Sequence, residues 1–217
     1  MLAVALPTAS PTPEPIKTIV TVVSSPYCRS LAEHFDDALV PMLANDRTLD
    51  AAGVSLDSIN TLFKQPDYVQ RFVQTRENLG REETVLNTSL AAIQQQINEL
   101  RGGSTLTTDP QAAAAVHQAA QELQTAYDKQ RQLAIDLQGT YQAMLDYPIT
   151  RVNPALGGFD PQEMSEPTAM QNVKTYLRFD GQRDVIARSE GKAVDVAYAA
   201  AQTYCTPKTS PSPSASP

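Results

Sequence analysis

The side chains of this sequence able to do chemistry are few and far apart. Its two cysteines, Cys28 and Cys205, stand near opposite ends of the apolar part of the chain, and neither has the neighbours that activate a thiolate. In an exported protein such a pair reads as a disulfide; the alternatives are two unrelated buried thiols or a catalytic thiol. A bridge between them would close most of the chain, and loop-closure entropy then predicts about 5 kcal/mol of stabilisation, less any strain. The two histidines, His34 and His117, fit neither the Glu-x-x-His spacing of a di-iron bundle nor the His-Glu-x-x-His of a zinc protease. His34 has Cys28, Glu33, Asp36 and Asp37 close in sequence, yet six residues from Cys28 place it on a different helix face. His34 reads as a surface or partly packed histidine, and His117, set among alanines, as a packing or rim residue.

The paired carboxylates Asp36-Asp37 and Glu82-Glu83 are adjacent, so on a helix they point to different sides and suit a solvated face better than an acid/base couple. Neither a Gly-x-x-x-x-Gly-Lys-Ser/Thr phosphate loop nor a Gly-x-Ser-x-Gly elbow occurs. Asn87-Thr88-Ser89 matches a glycosylation sequon, but within a helical pattern, and so short a match arises by chance. The expectation is a protein that is not an enzyme and uses no cofactor or metal.

Composition narrows the partners. A formal charge of -7 over 217 residues opposes nucleic acid, whose binding rests on Lys and Arg neutralising phosphates, and opposes an anionic membrane surface. The absence of Trp disfavours a carbohydrate-stacking site. No stretch approaches the ~20 apolar residues of a spanning helix.

The elements that must position these groups are more legible than the groups. Apolar residues recur at alternating spacings of four and three through two stretches, 66–101 and 110–147, separated by Gly102-Gly103 and a few polar residues. The first carries Phe72, Leu79, Leu86, Leu90, Ile93, Ile97 and Leu100, with Arg76 and Glu83 placed on the same seam as polar interruptions. The second carries Val116, Ala120, Leu123, Tyr127, Ala134, Leu137, Tyr141 and Met144, with Gln130 as a polar insertion. Pro66 with Asp67 starts the first arm, Gly102 suits the left-handed position that ends it, and Asp109 before Pro110 caps the second. Each arm would run about 37 residues, roughly 55 Å, and the short turn makes them antiparallel neighbours.

Flanking this hairpin, Pro26 opens a helix bearing Leu31, Phe35, Leu39, Met42 and Leu43, which Pro41 should end or kink near Val40. Gly53 closes a short turn and Ser55 caps a second helix with Leu56, Ile59, Leu62 and Phe63. A last helical region, 168–205, carries Met170, Val173 and Leu177 on one stripe and Ile186, Ala193, Val196 and Ala200 on another, offset by a break at Gly181. Residues 148–167 read as an irregular crossover whose Leu156 and Phe159 plug the core. The β-branched run 16–23 reads as an extended segment in a helical groove, or as an edge that pairs with another chain.

The predicted fold is therefore all-α: a long antiparallel coiled-coil-like hairpin, with N- and C-terminal helices packing at its base as a bundle. A Cys28–Cys205 bridge would hold the outer helices antiparallel, and any hairpin length they leave uncovered would project as an arm. One domain, 16–205, lies between a truncated signal-like start with a Pro-rich spacer, 1–15, and a Ser/Pro tail, 206–217, both disordered by composition. The signal-like start, the spacer and the paired cysteines place the protein outside the cytoplasm, secreted or periplasmic, with the true start codon expected upstream of Met1. The expected role is non-enzymatic: a coiled-coil hairpin for protein–protein interaction or self-association; whether surplus apolar positions such as Val85 and Leu133 form a second stripe for a partner is left open by the sequence. The alternative is a small-ligand carrier, a less favoured partner class, with a pocket between the outer helices and the hairpin base lined by Phe35, Leu39, Phe63, Tyr176, Leu177 and Phe179.

Overall fold

The computed structural model describes residues 25–62, 67–146 and 166–206. Four helices follow one another: α1 (Pro26–Leu62), α2 (Tyr68–Gly102), α3 (Pro110–Leu145) and α4 (Glu166–Ala200). A 3₁₀ turn, Gly103–Leu106, leads from α2 toward α3, and a π turn, Ala201–Cys205, extends α4. Among the described residues there is no strand. The run 16–23, the crossover 148–165, Phe63 and both tails lie outside the described residues.

The chain runs up, down, up and down. Ser30 of α1 lies against Gly103 at the end of α2, and Asn45 meets Ser89 of α2 at 2.6 Å, so these two helices are antiparallel. Gln94 of α2 and Gln124 of α3 exchange amide hydrogen bonds at 2.9 and 3.0 Å, while Gly80 meets the ring of Tyr141. Thr140 of α3 pairs with Thr175 of α4 at 2.6 Å, and Arg178 reaches Asp136 at 2.9 Å. Packing is most extensive between α3 and α4 and between α1 and α2; of the four neighbouring pairs, α1 and α4 share the least.

Each helix buries one stripe. In α1 it is Leu31, Phe35, Ala38, Met42, Asn45, Leu49, Ala52, Leu56 and Ile59, all buried. Their four-three alternation passes unbroken through Pro41 and Gly53, so the expected breaks do not occur and α1 is a single helix of 37 residues. The physical reason is tertiary. Pro41 forfeits one backbone hydrogen bond, at about 3 kcal/mol, while the buried stripe on both sides gains roughly 1.5–3 kcal/mol per large apolar side chain. Gly53 remains inside the helix, and a Cβ there would meet the ring of Phe179 at 3.2 Å, so the missing side chain lets α4 close in.

Two further expectations change for related reasons. Gly181 does not break α4, which is continuous from Glu166 to Ala200. The glycine is exposed with no atom near its missing Cβ, so it costs only about 1 kcal/mol of helix propensity. Gly102 is not a left-handed cap: it and Gly103 both have right-handed helical torsions, and the chain tightens into the 3₁₀ turn. Gly103 is needed for space, since a Cβ would run into Ser30 Oγ. Asp109 does cap α3, its carboxylate accepting from Gln111 N and Ala112 N at 2.8 and 3.2 Å.

On α2, Phe72, Leu79, Leu86, Leu90, Ile93, Ile97 and Leu100 are all buried. The inward positions between the first three are Thr75 and Glu82, not Arg76 and Glu83: Thr75 is 7% exposed, and one carboxylate oxygen of Glu82 is buried without a hydrogen-bond partner. A three-four step from Phe72 lands on Thr75 and from Leu79 on Glu82, one residue earlier than a four-three step. On α3, Val116, Leu123, Tyr127, Leu137 and Met144 are buried, and Tyr141 is half-buried against Gly80. Leu133, one of the two surplus apolar positions considered for a partner stripe, is fully buried, because α4 covers that side of α3. Val85 is exposed, and so is Leu177, expected to line a pocket, at 64%.

The outer helices are as long as the hairpin arms, 37 residues for α1 and 35 for α4 against 35 and 36 for α2 and α3. They therefore pack along the hairpin instead of at its base alone. Cys28 in the first turn of α1 is joined to Cys205, with Cα atoms 5.6 Å apart. The π turn lets Ala201 and Cys205 both face inward on the stripe of Ala193, Ala197 and Ala200. Tyr27 and Tyr204 flank the bridge edge to face, and Tyr27 Oη donates to Ala112 O at 3.2 Å, so α3 is held at the same end.

Candidate functional site

Halfway along the bundle the apolar core is interrupted by a polar layer drawn from all four helices. Asn45 and Asp46 come from α1, Ser89 from α2, Gln130 from α3 and Glu190 from α4. Gln130 is fully buried, Asn45 is 2% exposed and Glu190 4%. Ser89 Oγ donates to Asn45 Oδ1 at 2.6 Å, and Asn45 Nδ2 donates to Gln130 Oε1 at 3.4 Å. The Gln130 amide nitrogen shares its hydrogens among Asp46 Oδ1 at 2.7 Å, Met42 O at 3.0 Å and Glu190 Oε1 at 3.4 Å. Asp46 and Glu190 also hydrogen-bond each other.

Two carboxyls in direct hydrogen-bond contact, one of them buried, repel each other when both are ionised, so they share a proton. It resides on Glu190, whose pKa is pushed up to about 9 by burial, then by the charge of Asp46 and the hydrogen bond it donates to it. Burial also raises Asp46, but the hydrogen bonds from Glu190 and Gln130, with the charge of Arg183, work against that. Glu190 is enclosed by the bundle, whereas Asp46 is only part-buried and reaches the edge of a hollow.

Asp46 also borders a hollow of about 220 Å³ on the α1–α4 seam, walled by Leu49, Leu133, Ile186 and Ala187, with Asp50 and Arg183 at its rim. A second hollow, also about 220 Å³, adjoins it through the same Asp50 and Arg183 and is walled by Gly53, Val54, Asp57, Tyr176 and Phe179. Arg183 Nη2 and Asp50 Oδ1 form an ion pair at 2.8 Å, both side chains more than half exposed. Of the aromatic lining expected for a pocket, Tyr176 and Phe179 are at the trough; Leu177 points outward, Phe35 and Leu39 are buried in the core, and Phe63 lies outside the described residues.

His34 stands elsewhere, at the disulfide end, where its Nδ1 lies 2.9 Å from Gln96 Oε1 and 3.2 Å from Glu99 Oε2. The shallow hollow there is bordered by Glu33, Asp36 and Asp37, and Cys28 is taken up by the disulfide. His117 is exposed. Among the described residues no group of three His, Cys, Asp or Glu could hold a metal ion. Away from this layer, the Glu82 carboxyl is raised to about 7 by burial, partly offset by Arg81.

Sequence reasoning found Gln130 as a polar insertion but missed Asn45, Asp46 and Glu190. The signal for Asn45 was its register: it falls between Met42 and Leu49 on the α1 stripe, where a polar side chain must find a buried partner. Glu190 carries the same signal, falling between Ile186 and Ala193 on the buried stripe of α4; Asp46 lies beside the α1 stripe, and nothing in the sequence pairs the two.

No protein-family model, curated protein or solved structure matches this chain.

Proposed function

We propose that this protein works without catalysis outside the cytoplasm, as a structural or protein-interaction module. The observation that supports it most is the Cys28–Cys205 disulfide joining the first and last helices, a bond that persists in oxidising compartments. No helix among the described residues is long and apolar enough to cross a membrane. The seam of the α2–α3 hairpin is occupied within the bundle, so a partner would meet the outer faces, where Val85 and Ile135 are 52% and 50% exposed. Light scattering on the oxidised protein, with cross-linking in the native host, tests the role: a monomer that captures no partner overturns it. Cell fractionation tests the compartment.

A second reading, a small-ligand carrier, is favoured by one observation: the trough between α1 and α4, with a charged rim and an apolar floor.

A further inference from the structure

We propose that the α1–α4 trough binds a small organic cation, a protonated amine on a short apolar stem. This rests on the carrier reading and adds the chemistry of the ligand. The two hollows share Asp50 and Arg183, so they form one trough of roughly amine-plus-ring size running along the seam. The floor is hydrocarbon and aromatic, from Leu133, Ile186 and Phe179. The charge around it is unbalanced: Asp46, Asp50 and Asp57 face a single base, Arg183. An anion would meet three carboxylates. A neutral apolar molecule would strip water from them and offer nothing in exchange.

Arg183 marks where a cation belongs. Its pairing with Asp50 is solvent-exposed, and such pairs are worth little, so the guanidinium can swing out and leave Asp50 to a ligand ammonium. Behind this mouth, Asp46 has no base within ion-pair distance among the described residues; its charge is met by the Gln130 amide and by the proton of Glu190. An ammonium beside Asp46 supplies the positive charge that this proton now supplies. The Glu190 O–H bond then breaks, the proton passes to solvent, and the bound cation balances Asp46, with the Glu190 carboxylate behind it. The α1–α4 seam is also the least extensively packed between neighbouring helices, and the disulfide ties it at the far end.

Calorimetric titration of the full, oxidised chain near neutral pH tests the proposal, using phenethylammonium as probe in buffers of differing ionisation enthalpy. Saturable binding at one site is expected, with release of up to about one proton per ligand. Asp50→Asn should weaken binding about 5- to 10-fold, and Glu190→Gln should bind without releasing a proton, both with unchanged helical circular dichroism. Unchanged affinity in Asp50→Asn, or the same proton release from Glu190→Gln, overturns the site. The controls are 3-phenylpropionate and phenethyl alcohol, which share the stem without the positive charge. If either binds and the ammonium does not, the cation is wrong and the carrier reading stands. If none of the three binds, both fall.

Discussion

The carboxyl of Glu190 donates its proton to Asp46 across the α1–α4 seam, with the amide of Gln130 holding both acceptors from α3. This relationship dictates how stability depends on pH. The folded pKa of Glu190, about 9, lies above its ordinary 4.5, so between those values the folded chain keeps a proton that the unfolded chain has lost. The stability so conferred is complete below about pH 4.5 and is lost as pH rises toward and through about 9. Glu190→Gln, which preserves a hydrogen bond to Asp46 without the ionisation, should be more stable than the parent at alkaline pH by roughly 2–4 kcal/mol and similar at acidic pH. Urea unfolding across the pH range reads this directly; parallel curves for the two proteins would refute it.

The Cys28–Cys205 bond spans 177 residues of chain, so its removal should cost close to the loop-entropy limit, about 5 kcal/mol. Cys28→Ser with Cys205→Ser should lower the guanidinium midpoint sharply. Intact mass before and after reduction should differ by two hydrogens, and an unchanged mass would show that the bridge is absent in solution.

Gly102 and Gly103 are adjacent yet differ in what surrounds them. Gly102→Ala meets open space and should be neutral or stabilising by up to about 1 kcal/mol, whereas Gly103→Ala must displace Ser30 and should cost about 1–3 kcal/mol. Thermal melts of the two variants decide it, and equal effects would contradict the close approach of α1.

Leu133 and Leu177 look alike in sequence and should behave oppositely. Leu133→Ala should destabilise by about 2–5 kcal/mol, because the side chain is fully buried; Leu177→Ala, 64% exposed, should stay within about 0.5 kcal/mol. A large loss at Leu177 would mean that another surface covers it.

Much of the candidate site was hidden from sequence reasoning for a definite reason. A polar residue on a helical stripe, such as Gln130, announces that it needs a buried partner, but not which helix supplies one. Asp46 and Glu190 are 144 positions apart by numbering and meet only because α1 and α4 close the bundle. The trough depends on the same closure, since Arg183 of α4 pairs with Asp50 of α1.

What the amino-acid order by itself determined is the helical character of the chain, the apolar periodicity from Phe72 to Met144 and the cap at Asp109. These follow from local periodicity and local hydrogen bonding, which act over one or two turns. Only the tertiary structure decided that α1 continues through Pro41 and Gly53, that α4 continues through Gly181, and that Thr75 and Glu82 face inward. In each case long-range burial along a whole stripe outweighed a local cost of a few kcal/mol, and no local window of sequence carries that sum.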